Sequence, residues 1–166
     1  MQTIALLVFP LLMAFAAASD LLTMRISNRL VLLVVAAFLA IALIVGLPVQ
    51  QLAMHAAFAG LVLIIAFAFF AFGWIGGGDA KFAAATALWF GGDLLLLYIV
   101  YAGLFGGALT LVVLGLRRLP LTPLIAGTEW LARLHDAKAG VPYGIALSAA
   151  GLAVYTRTPI YAHFIG

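Results

Sequence analysis

The sequence predicts an all-α, polytopic membrane protein with about six transmembrane helices, and three observations carry that reading. Of 166 residues, 67% are hydrophobic and 8% are charged, against roughly 25% charged in a soluble domain. The charges are gathered into short segments, leaving the intervals 1–19, 30–78, 82–92, 94–116 and 139–156 free of them. A helix crosses the roughly 30 Å hydrocarbon core in about 20 residues, so a chain of this length with short loops accommodates about six crossings.

The elements follow in order. The first span is placed at 3–19; its start, Met-Gln-Thr-Ile, carries no cation and the cations come after the apolar run, so it reads as a span rather than a cleaved leader. The interval 30–78 is too long for one helix and is broken near its middle by Gly46, Pro48, Gln50 and Gln51, which gives spans at 30–47 and 54–74. The interval 82–92 nearly crosses if its helix starts by the glycines before Asp79, which gives a fourth span at 79–92, turning at Gly91, Gly92 and Asp93. Spans five and six are 94–116 and 141–156. All six belong to a single membrane-embedded domain, 1–166. Between the last two spans, Leu121 to Lys138 reads as a loop with a short interfacial helix: Trp130, Leu131 and Leu134 share a side, and Glu129 stands i,i+4 from Arg133. Gly103 and Gly107 form a GxxxG, and Gly144, Ser148 and Gly151 put small residues on the last span; both read as packing features.

Lysine and arginine in short loops are retained on the cytoplasmic face. Arg25, Arg29, Lys81, Arg117, Arg118, Arg133 and Lys138 fall on one side of this map and Arg157 on the other. Asp20 and Asp79 then share the cytoplasmic end of spans one and four, while Asp93 lies opposite. Topology alone pairs two carboxylates, and an ionisable residue at the edge of a span is a functional candidate by default.

Other chemistries lack their parts. The chain has no cysteine, His55, His135 and His163 are scattered as interfacial or loop residues, and neither HExxH nor GxSxG is present, so no metal site and no cofactor are expected. The net charge of +3 has a membrane explanation, and nucleic acid is not an expected partner. Two carboxyls held together cannot both ionise cheaply, so one serves as general base for water while the other donates a proton to a scissile carbonyl. Against that stand separate solvation, helix capping, or pairing of each Asp with Arg25 or Lys81. A small transporter or proton-conducting protein using the two acids as ion sites is the main alternative. It is disfavoured because the charges stop at the membrane edge and no inverted repeat is apparent. A structural subunit of a pilus or secretion assembly, with the glycines forming a tight turn, is a third reading.

Three motifs resemble a known family. Gly76-Gly77-Gly78-Asp79 matches GxGD and is followed by Ala80-Lys81-Phe82; Asp20 precedes Ile26-Ser27-Asn28; and Val141-Pro142-Tyr143-Gly144 contains Pro-Tyr-Gly. Together they resemble the type IV prepilin peptidases, GxGD-type intramembrane aspartyl proteases, with Ser27 where that family has proline. The resemblance runs from about Asp20 to Ala150 and implies Asp20 and Asp79 as catalytic residues. Gly76, Gly78, Lys81, Arg25, Asn28, Pro142, Tyr143 and Gly144 are implied in support, Lys81 or Arg25 offering a charge to an acidic group of the substrate. It further implies a prepilin-like precursor cut at the cytoplasmic face of the bacterial inner membrane, with the lipid bilayer and pilus assembly machinery as surroundings. The chain is most similar to the short forms associated with tight-adherence (Flp-type) pili. It lacks the cysteine-bearing region of the larger members, so no N-methyltransferase activity is expected.

Overall fold

A computed structural model of the protein describes residues 2–120 and 127–165. It contains α1 (Gln2–Thr23), α2 (Asn28–Val45), α3 (Val49–Ala71), α4 (Gly77–Ala87), α5 (Gly91–Arg117), α6 (Glu129–His135), α7 (Tyr143–Tyr155) and α8 (Pro159–Ile165), with no strand among the described residues. Four helices, α1, α2, α3 and α5, are long and apolar enough to cross a membrane; α7 is apolar but shorter, at 13 residues. The protein is an all-α polytopic membrane protein.

At 11 residues, α4 rises about 16 Å, half a hydrocarbon core. It lies in the interior instead, packed on α3, α2, α7 and α5. Its composition suits that place: alanines and glycines let neighbouring backbones come close, and Ala80, Phe82 and every residue from Ala84 to Ala87 are buried. Although α2 and α3 are consecutive, they scarcely touch, because α4 sits between them; α7 packs on α1 and α5. Beyond α4, Trp89 is 1% exposed and lies 4.6 Å from the Phe9 ring and 5.7 Å from Phe38, with Tyr155 stacked on Phe9. The Trp89 indole N–H donates to the Val34 carbonyl at 3.3 Å. Outside this core, Leu11, Phe15, Leu43, Ile64, Leu104 and Leu111 are exposed, as lipid-facing positions should be.

Local chemistry sets the turns. Ser27 caps α2 by accepting the Leu30 N–H at 3.2 Å. Gly46 ends the same helix at φ +70, its N–H reaching the carbonyls of Ala42 and Leu43. The bounds differ from the sequence reading at α1, which runs on to Thr23 and so includes Asp20, at α3, which starts at Val49, at α4, which ends at Ala87 rather than at 92, and at α5, which starts at Gly91 so that Asp93 lies in its first turn. Two expectations need correction. Gly103 and Gly107 face open space, and it is Gly106 that meets α7, where a Cβ would lie 3.1 Å from the Tyr143 ring; a GxxxG marks a face without saying which neighbour lies there. His55 is not a loop residue. It lies within α3, its ring stacked on Phe38 and its Nδ1 2.7 Å from the Leu88 carbonyl oxygen. Residues 121–126 of the expected interfacial loop lie outside the described residues. The rest forms α6, whose Leu134 is buried and whose Arg133 donates to the Leu22 carbonyl at 2.9 Å while pairing with Glu129 at 3.8 Å.

Replacing Trp89 with alanine removes the ring on which three helices converge and should cost about 3–5 kcal/mol; thermal unfolding in detergent, compared with Trp89→Phe, measures it.

Candidate active site

Phe9, Met13, Ala16 and Asp20 are all buried, and their spacing of four, three and four residues puts them on one stripe of α1. The carboxyl therefore ends an apolar stripe that faces the bundle, and it is 3% exposed. A buried carboxyl without a partner is costly. The partner here is the backbone at the start of α7: the Gly144 N–H donates to Asp20 Oδ2 at 2.7 Å. The first turn of a helix has N–H groups with no intrahelical acceptor, and Gly144 is the second residue of α7. A side chain there is excluded, since a Cβ on Gly144 would lie 2.8 Å from Asp20 Oδ2 and 2.7 Å from Ile26 Cδ1.

Asp79 is held in the corresponding way on α4. Gly76 is the N-cap, with extended backbone, and Asp79 stands three residues on, in the first turn. Its carboxyl turns back to the Gly76 N–H, the reciprocal half of a capping box, and a Cβ on Gly76 would lie 2.9 Å from Asp79 Oδ2. Capping accounts for the position of this acid but not for its company, because Asp79 opens onto the same cleft as Asp20. The α1–α2 and α3–α4 turns make the approach possible: a Cβ on Gly78 would lie 3.2 Å from the Ile26 carbonyl oxygen.

Both acids line one cleft of about 650 Å³, walled by residues 24–27, 73–79 and 139–143. Of the remaining candidates, Arg25, Gly76, Gly78, Pro142 and Tyr143 line it, and Gly144 lies behind Asp20. Lys81 and Asn28 do not line it; the Lys81 ammonium donates to Asn28 Oδ1 at 3.1 Å instead. The 139–143 wall is tied down from α5, where Arg117 donates to the carbonyls of Leu134 and Gly140, and the Tyr143 hydroxyl lies 3.1 Å from Thr110 Oγ1. Asp93 lines a different cleft together with His55 and Arg157. No group of three or more His, Cys, Asp or Glu is arranged to hold a metal among the described residues.

Ile26, read in the sequence only as part of the Ile26-Ser27-Asn28 motif, is the residue in contact with both glycine-lined approaches, at Gly78 and Gly144. Asp20 was legible from its place at the end of a charge-free interval and from the motifs around it, whereas nothing in the sequence marked Ile26 as the packing contact of two glycines. Ser27, the departure from the family pattern, is a helix cap whose hydroxyl serves α2.

Two carboxyls at one cleft, each held by a backbone N–H at a helix start, are equipped to bind and activate a water. Neither the curated proteins nor the solved structures contain a significant match to the chain. The model of the type IV leader peptidase family matches residues 7–111, well over half of the chain, and so covers Asp20 and Gly76–Lys81 while ending before Pro142–Gly144. A membrane-embedded hydrolase is thereby identified: the chain belongs to the type IV leader peptidase family.

Proposed function

We propose that this peptidase is an intramembrane aspartic endopeptidase that removes the leader of type IV or Flp-type prepilins at the cytoplasmic face of the inner membrane. The observation that carries the proposal is the meeting of Asp20 and Asp79, 59 positions apart in sequence, at one cleft. In the reaction, one ionised carboxylate takes a proton from water as the water attacks the scissile carbonyl. The protonated partner gives its proton to the developing oxyanion; the first carboxyl then passes the proton it took from water to the leaving nitrogen while the partner takes one back from the gem-diol, so that the C–N bond breaks and the leader carboxyl and the new N-terminal amine are released. The seven cations on one side of the chain support a cytoplasmic orientation for the cleft, where a basic leader would arrive.

Co-expression with an Flp-type prepilin, read by gel shift, tests this directly. Asp20→Asn and Asp79→Asn should each lower cleavage by at least about a hundredfold at unchanged membrane level; full activity in either variant refutes the mechanism.

The pair must hold one proton to work. Raising the pH removes that proton and the general acid with it, while lowering the pH adds a second and abolishes the base. Activity should therefore fall on both sides of an optimum, with apparent values that belong to the pair; a rate constant across the whole range in detergent micelles contradicts the shared proton.

Gly144→Ala should lower cleavage about tenfold or more, by displacing the Asp20 carboxyl from its N–H donor. Gly103→Ala, whose new methyl meets open space, serves as the neutral comparison in the same assay.

A further inference from the structure

Residues 24–27 join α1 to α2 and form one wall of the cleft. Their backbone is fixed by α1 itself. Met24 takes a left-handed turn, φ +54, uncommon outside glycine, and donates its N–H to the Asp20 carbonyl at 2.7 Å. The Arg25 carbonyl oxygen accepts the Ser19 hydroxyl at 3.4 Å and lies 3.2 Å from Thr23 Oγ1, the two hydroxyls standing one turn apart on α1. On the far side, Ser27 caps α2. Ile26 stands between these ties, 8% exposed, and two helix starts meet it. A Cβ on Gly78, at the start of α4, would lie 3.2 Å from the Ile26 carbonyl oxygen and 3.5 Å from its Cβ. A Cβ on Gly144, at the start of α7, would lie 2.7 Å from Ile26 Cδ1. Gly78 directly precedes Asp79, and Gly144 is the donor to Asp20.

We infer that Ile26 is a positioning residue that spaces the two acids, its backbone setting the start of α4 and its Cδ1 the start of α7; what the spacing serves rests on the peptidase reading above. A different part of the residue makes each contact, so each acid has its own stop. The β-branched side chain is stiff at χ1, which suits a stop better than a freely turning one. It also carries no polar atom, so it adds neither proton nor charge to a cleft whose other titratable lining residues are Arg25 and Tyr143. The spacer thus sets where the carboxyls stand without competing for their shared proton. Because its tie to α1 starts at Ser19, beside Asp20, a shift of that helix end carries the spacer with the acid. Both acids must reach one water, and a displacement of about 1 Å is enough to slow such a reaction severely.

Removing Cδ1 alone separates the two contacts. Ile26→Val should lower kcat on the prepilin about threefold with KM within about twofold. Ile41→Val, which takes the same methyl from a buried site further along α2, should change neither. In the Gly144→Ala background, whose new methyl strikes Cδ1, Ile26→Val should instead raise kcat about threefold, a partial rescue because the contact with Asp20 remains. In the Gly78→Ala background, whose methyl meets the Ile26 carbonyl, it should give no gain. Equal losses in all three backgrounds, or an equal loss from Ile41→Val, overturn the inference. A second reading needs no turnover. The chain has no cysteine, so Asp20→Cys combined with Asp79→Cys reports the separation through the rate of oxidative disulfide formation. Ile26→Ala should raise that rate at least about threefold as the helix starts close on the vacated space, and Ile41→Ala should leave it unchanged. No rise, equal rises, or no cross-link in any background overturns the spacing role. Failure of the unsubstituted chain to cut the precursor overturns the peptidase reading instead, and the cross-linking then decides the spacing alone.

Discussion

The bond from the Gly144 N–H to Asp20 is the constraint on which the rest of the site depends. A carboxyl on the buried stripe of α1 has lost most of its water, and an unpaired polar group in that position costs several kcal/mol. Donors in an apolar bundle are scarce, since interior helix N–H groups are already committed; those of a first helical turn are free. The start of α7 must therefore stand against the end of α1. Pro142 before it, Arg117 holding Gly140 from α5, and the absence of a side chain at Gly144 are the local conditions for that placement. Glycine here is a matter of space and not of backbone freedom, because Asp20 and Ile26 occupy the volume a methyl would need.

The short central helix follows from the same economy of donors. If α4 crossed the whole bilayer, its first turn would lie in water and Asp79 would be an ordinary solvated cap. With 11 residues it begins at the cleft, so its free N–H groups and its first-turn carboxyl face the same space as Asp20. Both acids are thus presented by helix starts or helix ends whose backbone lines the cleft, while apolar residues occupy the helix centres. Irregular backbone at the membrane edge is tolerated where it lines a cavity, and here that backbone forms most of the wall.

Much of this was legible in the sequence, and the reasons for the remainder are physical. Charge-free intervals located the helices because lipid forbids charge along their length, and GxGD located a helix start because glycines followed by an acid satisfy a cap. Pairing of Asp20 with Asp79 followed from the alternation of crossings. Packing partners did not follow. In a soluble helix, the apolar face is the buried face, but in lipid both faces are apolar, so the sequence could not distinguish Gly106, which meets Tyr143, from Gly103 and Gly107, which meet nothing. For the same reason the contact of His55 with Phe38 could not be read from its place in the chain. Lys81 was legible as a charge near the acids, but its side of α4 was not, and two positions from Asp79 on a helix is nearly the opposite face.

That opposition gives α4 a divided role. One face carries Asp79 into the cleft, and the other carries Lys81, Ala84 and Ala85 into a groove between α2 and α3. Any pressure on the groove face is therefore applied to the helix that holds one of the two acids, within a turn of its first residue. Its resistance to displacement comes from the far end, where Trp89 and Phe90 pack against Phe9 and Trp89 against Phe38. The close contact of Gly78 with the Ile26 carbonyl makes the acid-bearing end sensitive to shifts of the α1–α2 turn. An aromatic anchor at one end and a glycine contact at the other thus hold α4 from both sides, so the position of Asp79 depends on the packing of α1 and of the turn that follows it.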